Sequence, residues 1–181
     1  MNIWVNGCFD IIHTGHIELL TYAKFYNPDL LLFPSPVICH NTLYVGLDSD
    51  ERVKRLKGDK RPINDINTRI TIMRNLRMVD KVFIFNTDDE LRNLIKYLLI
   101  DVMIVGDQYK DKEVIGHENS KCGVIYYEVD KRSTTNIIEK IKKESRLEVY
   151  EELWERFNKR NDDVSIAINN YSLAKIREHK L

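Results

Sequence analysis

Two histidines three residues apart, His13 and His16, follow a short turn in the segment NGCFDIIHTGHIELL. Residues 3–5 are apolar and β-prone, and apolar residues recur at helical spacing from residue 17, which predicts a strand, a turn and a helix. Side chains at i and i+3 share one face of a helix. A helix that starts after a buried strand can bind phosphate at its N-terminus. Imidazole donors there would stabilise a phosphoryl group that gains charge in a transition state.

Capping, zinc binding and a different class of enzyme are the alternatives for the two histidines. Capping or packing would account for a single histidine near the start of a helix. The spacing H-x-x-H could supply two zinc ligands, but the sequence has no H-E-x-x-H motif and no obvious cluster with a third ligand. A dinucleotide-dependent oxidoreductase would carry G-x-G-x-x-G after the first strand, and this sequence does not.

The composition predicts a folded protein without a global charge. The chain has 181 residues, of which 43% are hydrophobic and 31% charged, with 28 basic and 28 acidic residues. A net charge of zero gives no basic field for nucleic acid, so an anionic substrate must be held by locally placed charges. The length suggests one domain with an appendage.

The cysteines and the hydropathy indicate a cytoplasmic location. Cys8, Cys39 and Cys122 form no C-x-x-C pair, which argues against a disulfide framework and fits a reducing cytosol. Strand-like sequence begins at Asn2, so no secretory leader is expected. The longest apolar stretch, residues 97–105, is interrupted by Asp101 and is too short to cross a bilayer. No membrane or nucleic-acid partner is expected.

Strands and helices alternate along the chain. Strands are predicted at residues 42–47, 81–85, 101–105 and 123–129, and helices at residues 68–76, 89–99 and 135–143. This alternation predicts an α/β fold, a Rossmann-like parallel sheet with helices on both faces. Residues 26–41 contain three of the four prolines and are predicted to be an insertion.

The chain resembles the cytidylyltransferase-like nucleotidyltransferases. GCFDIIHTGH matches their G-x-F-D-x-x-H-x-G-H signature, which is long and specific. Four further segments, KRLKGDKRPIN, VDKVFIF, VGDQY and RSTTNIIEKI, are most similar to the heptose 1-phosphate adenylyltransferase domain of ADP-heptose synthases. Glycerol-3-phosphate cytidylyltransferase is more distant. The resemblance covers about residues 2–141 without the insertion, and it implies the nucleotidyltransferase fold.

The resemblance also implies roles for particular residues. The catalytic residues would be His13, His16, Lys57 and Arg69, with Lys57 a mobile cation in a loop beside Gly58. A surface ion pair is the alternative for Arg69. The nucleotide would be bound by Gly7, Cys8, Phe9, Asp10, Gly15, Gly106, Asp107, Tyr109, Arg132, Ser133, Thr134 and Thr135. The last four precede a helix, where hydroxyls and backbone donors would form a second anion site. Mg²⁺ would be held through the phosphates of the nucleoside triphosphate, with no metal ligand from the protein.

The expected reaction joins a nucleoside triphosphate to a phosphorylated small molecule, a sugar phosphate, and releases pyrophosphate. The segments KGDKRPIN and IGHE favour ATP. VGDQY departs from the K-G-G-D-Y form of the heptose enzymes and is equally close to the M-G-D-D-W form of the cytidylyltransferases, so CTP stays an alternative. A catalytically silent nucleotide-binding module is the other alternative.

The segment after residue 144 is predicted to be a helical extension, residues 145–181, appended to a nucleotidyltransferase domain of residues 1–144. It is expected to form two helices, the second from about residue 163. The first carries an apolar stripe of Leu147, Tyr150, Trp154 and Phe157. This stripe would cover its own domain or the same element of a second subunit in a homodimer.

Overall fold

The structure, a computed structural model, describes residues 1–28, 41–121, 123–128 and 134–160, with the side chains of 146, 147 and 155–160 left undescribed. The described residues contain five strands and five helices in the order β1 (Asn2–Gly7), α1 (Thr14–Lys24), β2 (Thr42–Asp48), α2 (Asp50–Lys57), α3 (Ile66–Arg74), β3 (Lys81–Phe85), α4 (Asp88–Tyr97), β4 (Val102–Gly106), β5 (Val124–Tyr127) and α5 (Thr134–Arg160). The chain divides into two compact units, Met1–Thr134 and Thr135–Leu181. The predicted domain boundary after residue 144 stays a prediction.

The strands form one parallel sheet in the order β3-β2-β1-β4-β5. The order reverses direction at β1, which has β2 on one side and β4 on the other. In open parallel sheets, ligands bind at the carboxyl ends of the strands beside such a reversal. The predicted parallel α/β architecture is confirmed.

Alternate residues of the central strands pack against helices on opposite faces of the sheet. Ile3 and Val5 of β1 belong to a buried cluster that includes Leu20 of α1 and Met73 of α3. Trp4, between them, belongs to a second cluster with residues of α4 and β4. This alternation follows from the two-residue period of a strand, and it places helices on both faces, as predicted.

Two predicted elements are wrong. The segment around Lys57 is not a loop, because residues 50–57 form α2, with Lys57 as its last residue and Gly58 after it at φ +88°. The predicted helix break near residue 145 is absent, because α5 continues from Thr134 to Arg160. The second predicted helix of the tail, from residue 163, and the core of the predicted insertion, residues 29–40, lie outside the described residues.

Within the described part of the chain, no helix is long and apolar enough to cross a membrane.

Candidate functional site

The turn between β1 and α1 lies at the sheet edge where the strand order reverses. Gly7 ends β1, Cys8 is buried, and Gly15 is buried in the first turn of α1. His13 is the N-cap residue of α1, but its side chain makes no capping hydrogen bond. Its carbonyl oxygen instead accepts the amide of His16 at 3.0 Å. Capping by the side chain therefore does not explain His13.

The two histidine rings are in direct contact. The centroids of His13 and His16 are 3.8 Å apart with an interplanar angle of 27°, and the ring of Phe9 packs 5.0 Å from His16. Phe9 is 3% exposed and adopts φ +46°, a conformation uncommon for a bulky residue. The prediction that the two histidines share one face is confirmed, and Phe9 supports them from the core side.

His16 is neutral at physiological pH. Its burial, followed by the nearby His13 and the Lys57 ammonium, lowers its pKa from 6.5 to about 4. Its Nδ1 is buried and has no hydrogen-bond partner among the described residues. A neutral ring still carries one N–H donor, so His16 can donate to a phosphate oxygen without being protonated.

Asp10 fastens the segment after Lys57 to the β1–α1 turn. Its carboxylate accepts from Nε of Arg61 at 2.8 Å and from the amides of Ile63 and Asn64 at 2.9 and 2.7 Å. The carbonyl oxygen of Asp10 also accepts from the side chain of Asn64. The carboxylate is fully buried, and both of its oxygens accept hydrogen bonds from the protein itself. Any role of Asp10 in nucleotide binding stays a prediction.

Arg69 of α3 ties the carboxyl ends of β1 and β2 to the start of α2 and to the segment before α3. Its Nη1 donates to the carbonyl oxygens of Cys8 and Asp48 at 2.7 and 2.8 Å. Its Nη2 pairs with Asp50 at 2.6 Å, and its Nε donates to the carbonyl oxygen of Asn64 at 3.1 Å. Arg69 is 0% exposed. The alternative that it forms a surface ion pair is therefore wrong, and its catalytic role stays a prediction.

Lys57 lies near the turn from the end of α2. Its ammonium contributes to the lowered pKa of His16 and opposes the rise that burial causes in the pKa values of Cys8 and Asp48, so it lies within electrostatic range of all three. No carboxylate of the described residues forms an ion pair with it within 4 Å. Burial nevertheless raises the pKa of the Cys8 thiol, because desolvation outweighs the nearby cations.

The carboxyl end of β4 also borders the candidate site. After Gly106, the last residue of β4, the chain forms a short 3₁₀ turn over Asp107–Tyr109. Tyr109 is 44% exposed, and partial desolvation of its phenol raises its pKa, as do the nearby Asp48 and Cys8. The phenol therefore lies within electrostatic range of the ends of β1 and β2. The prediction that VGDQY closes a strand at the carboxyl edge is confirmed.

The predicted second anion site is only partly described. The Thr134 hydroxyl donates to the carbonyl oxygen of Ile11 at 3.1 Å, so Thr134 itself lies beside the β1–α1 turn. Thr135 lies in the first turn of α5. Arg132 and Ser133 lie outside the described residues, and their role stays a prediction.

Sequence reasoning missed Asp48, the last residue of β2. Its side chain is 12% exposed, and one oxygen pairs with Nε of Arg52 at 2.9 Å. Burial raises its pKa, opposed by the cations of Arg52 and Lys57. The sequence did carry a signal that a helix starts directly after Asp48. Ser49 is its N-cap residue and accepts a hydrogen bond from the amide of Arg52, and two acidic residues follow Ser49.

The residues described do not form a metal cage. No group of three or more His, Cys, Asp or Glu side chains comes together among them. The H-x-x-H pair therefore finds no third zinc ligand there. The carboxylate of Asp10 is engaged by the protein, and one oxygen of Asp48 is engaged by Arg52. The expected Mg²⁺ on the nucleotide phosphates stays a prediction.

These features define a class of protein: a Rossmann-like α/β protein with two stacked histidines, and a lysine within electrostatic range of them, at the reversal of its sheet. The cytidylyltransferase-like family model matches residues 4–140. The chain therefore belongs to the cytidylyltransferase-like family of nucleotidyltransferases.

The chain is also similar in sequence to curated bifunctional HldE proteins. The chain is 43% identical over 140 residues to the bifunctional protein HldE of Campylobacter fetus, covering 77% of this chain and 28% of the relative. It is 40% identical over 141 residues to HldE of Helicobacter hepaticus, covering 78% and 26%. The chain thus spans about a quarter of the length of these curated relatives.

A solved structure shares the fold. The lipopolysaccharide core biosynthesis protein from Thermoplasma volcanium superimposes with a TM-score of 0.52 at 23% identity, covering 74% of this chain and 98% of that one.

Proposed function

We propose that the protein transfers a nucleotidyl group from a nucleoside triphosphate, preferably ATP, to a sugar phosphate and releases pyrophosphate. The observation that carries the proposal is the convergence of the stacked His13 and His16 with Lys57 at the reversal of the sheet. Membership of the family and the resemblance to heptose 1-phosphate adenylyltransferase domains support the reaction type and the substrate class.

The chemistry requires alignment and charge stabilisation rather than a strong base. An oxygen of the acceptor phosphate attacks the α-phosphorus, and the bond from the α-phosphorus to the bridging oxygen breaks, so that pyrophosphate leaves. The acceptor oxygen is already an anion, so no proton has to be removed. Lys57 neutralises charge on the α-phosphate, and His13 and His16 donate to the triphosphate. Mg²⁺, when bound with the nucleotide, neutralises the remaining phosphate charge.

A screen for pyrophosphate release tests the reaction. Four nucleoside triphosphates are combined with a panel of sugar 1-phosphates, with Lys57→Ala as the inactive variant and Lys54→Ala as the control. We expect release with at least one pair, abolished only in Lys57→Ala. Nucleotide binding without release from any pair would favour a silent nucleotide-binding module.

Calorimetric titration of ATP and CTP with Mg²⁺ tests the nucleotide preference. We expect ATP to bind more tightly, because KGDKRPIN and IGHE resemble the adenylyl branch. Tighter binding of CTP would assign the protein to the cytidylyl branch.

We also propose that the protein is a homodimer through α5. Val149, Tyr150 and Leu153 of this helix are 55–59% exposed, and such a surface favours association. Sedimentation of the full chain should give a dimer at micromolar concentration, and Tyr150→Lys should weaken it, whereas Glu151→Lys, on the same helix, should not. A monomeric wild type would contradict this proposal.

A further inference from the structure

Asp48 presents a carboxylate oxygen that the protein does not use. One oxygen, Oδ1, accepts from Nε of Arg52 at 2.9 Å. In the described part of the chain, no hydrogen bond to the other oxygen, Oδ2, is found. This oxygen is not among the fully buried polar atoms, although the whole side chain is only 12% exposed. Oδ2 is therefore reachable from a small opening and has no donor among the described residues.

The opening belongs to the candidate site. Asp48 acts electrostatically on Cys8 at the end of β1 and on Tyr109 after β4, and Lys57 acts on Asp48. These residues come from four separate elements, so the carboxylate lies where those elements converge. The carbonyl oxygens of Cys8 and Asp48 share one donor, Nη1 of Arg69, which fixes the ends of β1 and β2 side by side.

Only some ligand groups can contact a free carboxylate oxygen in a phosphate-binding site. An ionised carboxylate only accepts hydrogen bonds and repels phosphate oxygens. Lys57 binds a phosphate in the proposed reaction, so the ligand atoms that reach Asp48 are those a few bonds from that phosphate. In nucleotides and sugar phosphates, these atoms are sugar carbons with hydroxyl groups.

We propose that Oδ2 of Asp48 accepts a hydrogen bond from a sugar hydroxyl of a substrate and thereby selects hydroxylated ligands. The inference rests on the proposed function for the identity of the ligands. The hydroxyl belongs either to the ribose of the nucleotide or to the phosphorylated acceptor. Arg52 holds the carboxylate in place, since it also pairs with Asp88 at 2.6 Å and its guanidinium lies 5.1 Å from the centre of the Phe85 ring.

A binding cycle between the carboxylate and the hydroxyl tests the inference without any transfer reaction. Wild type, Asp48→Ala and Asp48→Asn are titrated at saturating Mg²⁺ with the preferred nucleoside triphosphate and with its 2′-deoxy and 3′-deoxy forms. A second arm titrates glucose 1-phosphate, mannose 1-phosphate and their 2-deoxy forms in the presence of a non-hydrolysable nucleotide analogue. Asp88→Ala is the matched control, because it removes the other carboxylate partner of Arg52 at a 47% exposed position.

We expect wild type to prefer the hydroxylated ligand over one deoxy form by about tenfold or more, since a hydrogen bond to a charged group is involved. Asp48→Ala should lose that preference, and Asp88→Ala should keep it. The arm in which the preference disappears identifies the substrate that carries the hydroxyl. Asp48→Asn should keep a reduced preference, because an amide also forms hydrogen bonds with hydroxyls.

Two results would overturn the inference. One is an equal loss of affinity for hydroxylated and deoxy ligands in Asp48→Ala, or no preference in wild type in either arm. The other is a raised Mg²⁺ requirement for nucleotide binding in Asp48→Ala when the nucleotide titration is repeated over a series of Mg²⁺ concentrations, which would make the carboxylate a metal ligand instead. If the preference depends on Asp48 but no pyrophosphate is ever released, the proposed reaction fails and this inference stands.

Discussion

The two sides of the candidate site are built by different interactions. On the histidine side, His13, His16 and Phe9 are held by ring packing. On the lysine side, residues 48–69 are held by hydrogen bonds that converge on Asp10 and Arg69. A group whose hydrogen bonds are all made by the protein must break them to bind a ligand, whereas the packed ring of His16 has a buried Nδ1 without a partner among the described residues. Asp10 and Arg69 are therefore suited to positioning, and His16 to contact.

Removal of the Arg69 guanidinium is expected to have the largest effect and tests its positioning role. Arg69→Leu removes the guanidinium donors from the carbonyl oxygens of Cys8, Asp48 and Asn64 and from one oxygen of the Asp50 carboxylate. We expect the free energy of unfolding to fall by about 3–5 kcal/mol, as for other broken buried pairs. Urea unfolding measures it.

Arg92→Leu is the control for this prediction. Arg92 is 35% exposed and pairs with Asp89 and Glu118, which are more exposed, so its loss should lower the free energy of unfolding far less than the loss of Arg69. An Arg69→Leu protein as stable as Arg92→Leu would contradict the positioning role.

Removal of the His16 ring should have the opposite signature. His16→Ala removes one preorganised donor, which lowers kcat by about 10²–10³-fold, while the thermal midpoint stays nearly unchanged. Turnover and thermal unfolding are measured on the same preparation, with His117→Ala, at a 53% exposed position, as the control. Full turnover, or failure to fold, would refute the assignment of His16 to contact.

The low pKa of His16 makes the stability of the protein depend on pH. The pKa of His16 is about 4 in the fold and 6.5 in a model peptide, so between these values the unfolded chain binds a proton that the folded chain does not. Stability from this group is complete above pH 6.5 and is lost as the pH falls toward 4, by no more than about 3 kcal/mol.

Urea unfolding at pH 7 and pH 4.5 measures this loss, and His16→Gln should reduce it. An identical loss in wild type and His16→Gln would show that the imidazole titrates normally in the fold.

The sequence predicted the sheet better than the site. β3 was predicted at its observed bounds, because an apolar β-prone run between turn signals identifies a strand without reference to the rest of the chain. α2 was missed because it is polar almost throughout and buries only Val53, so it has little hydrophobic periodicity. Its N-cap serine and the acidic first turn were the available signals.

The positions of His13, His16 and Lys57 could be chosen by resemblance, but their environments could not. The depressed pKa of His16 depends on the packing of Phe9 and on a lysine more than forty positions away in the chain. Asp48 became a candidate only when the ends of three strands came together in space. Local patterns identify elements, whereas burial and electrostatic range depend on how distant elements meet.

The central place of β1 in the sheet affects how the chain folds while it is being synthesised. β1 pairs with β2 at Ile3 and Leu43, but its other edge is completed only when Ile3 meets Val102 of β4. A ribosome adds about 5–20 residues per second, so this edge stays open for several seconds while the intervening residues are made. An open strand edge recruits other chains. Chaperone protection during translation should therefore matter most before β4 leaves the ribosome.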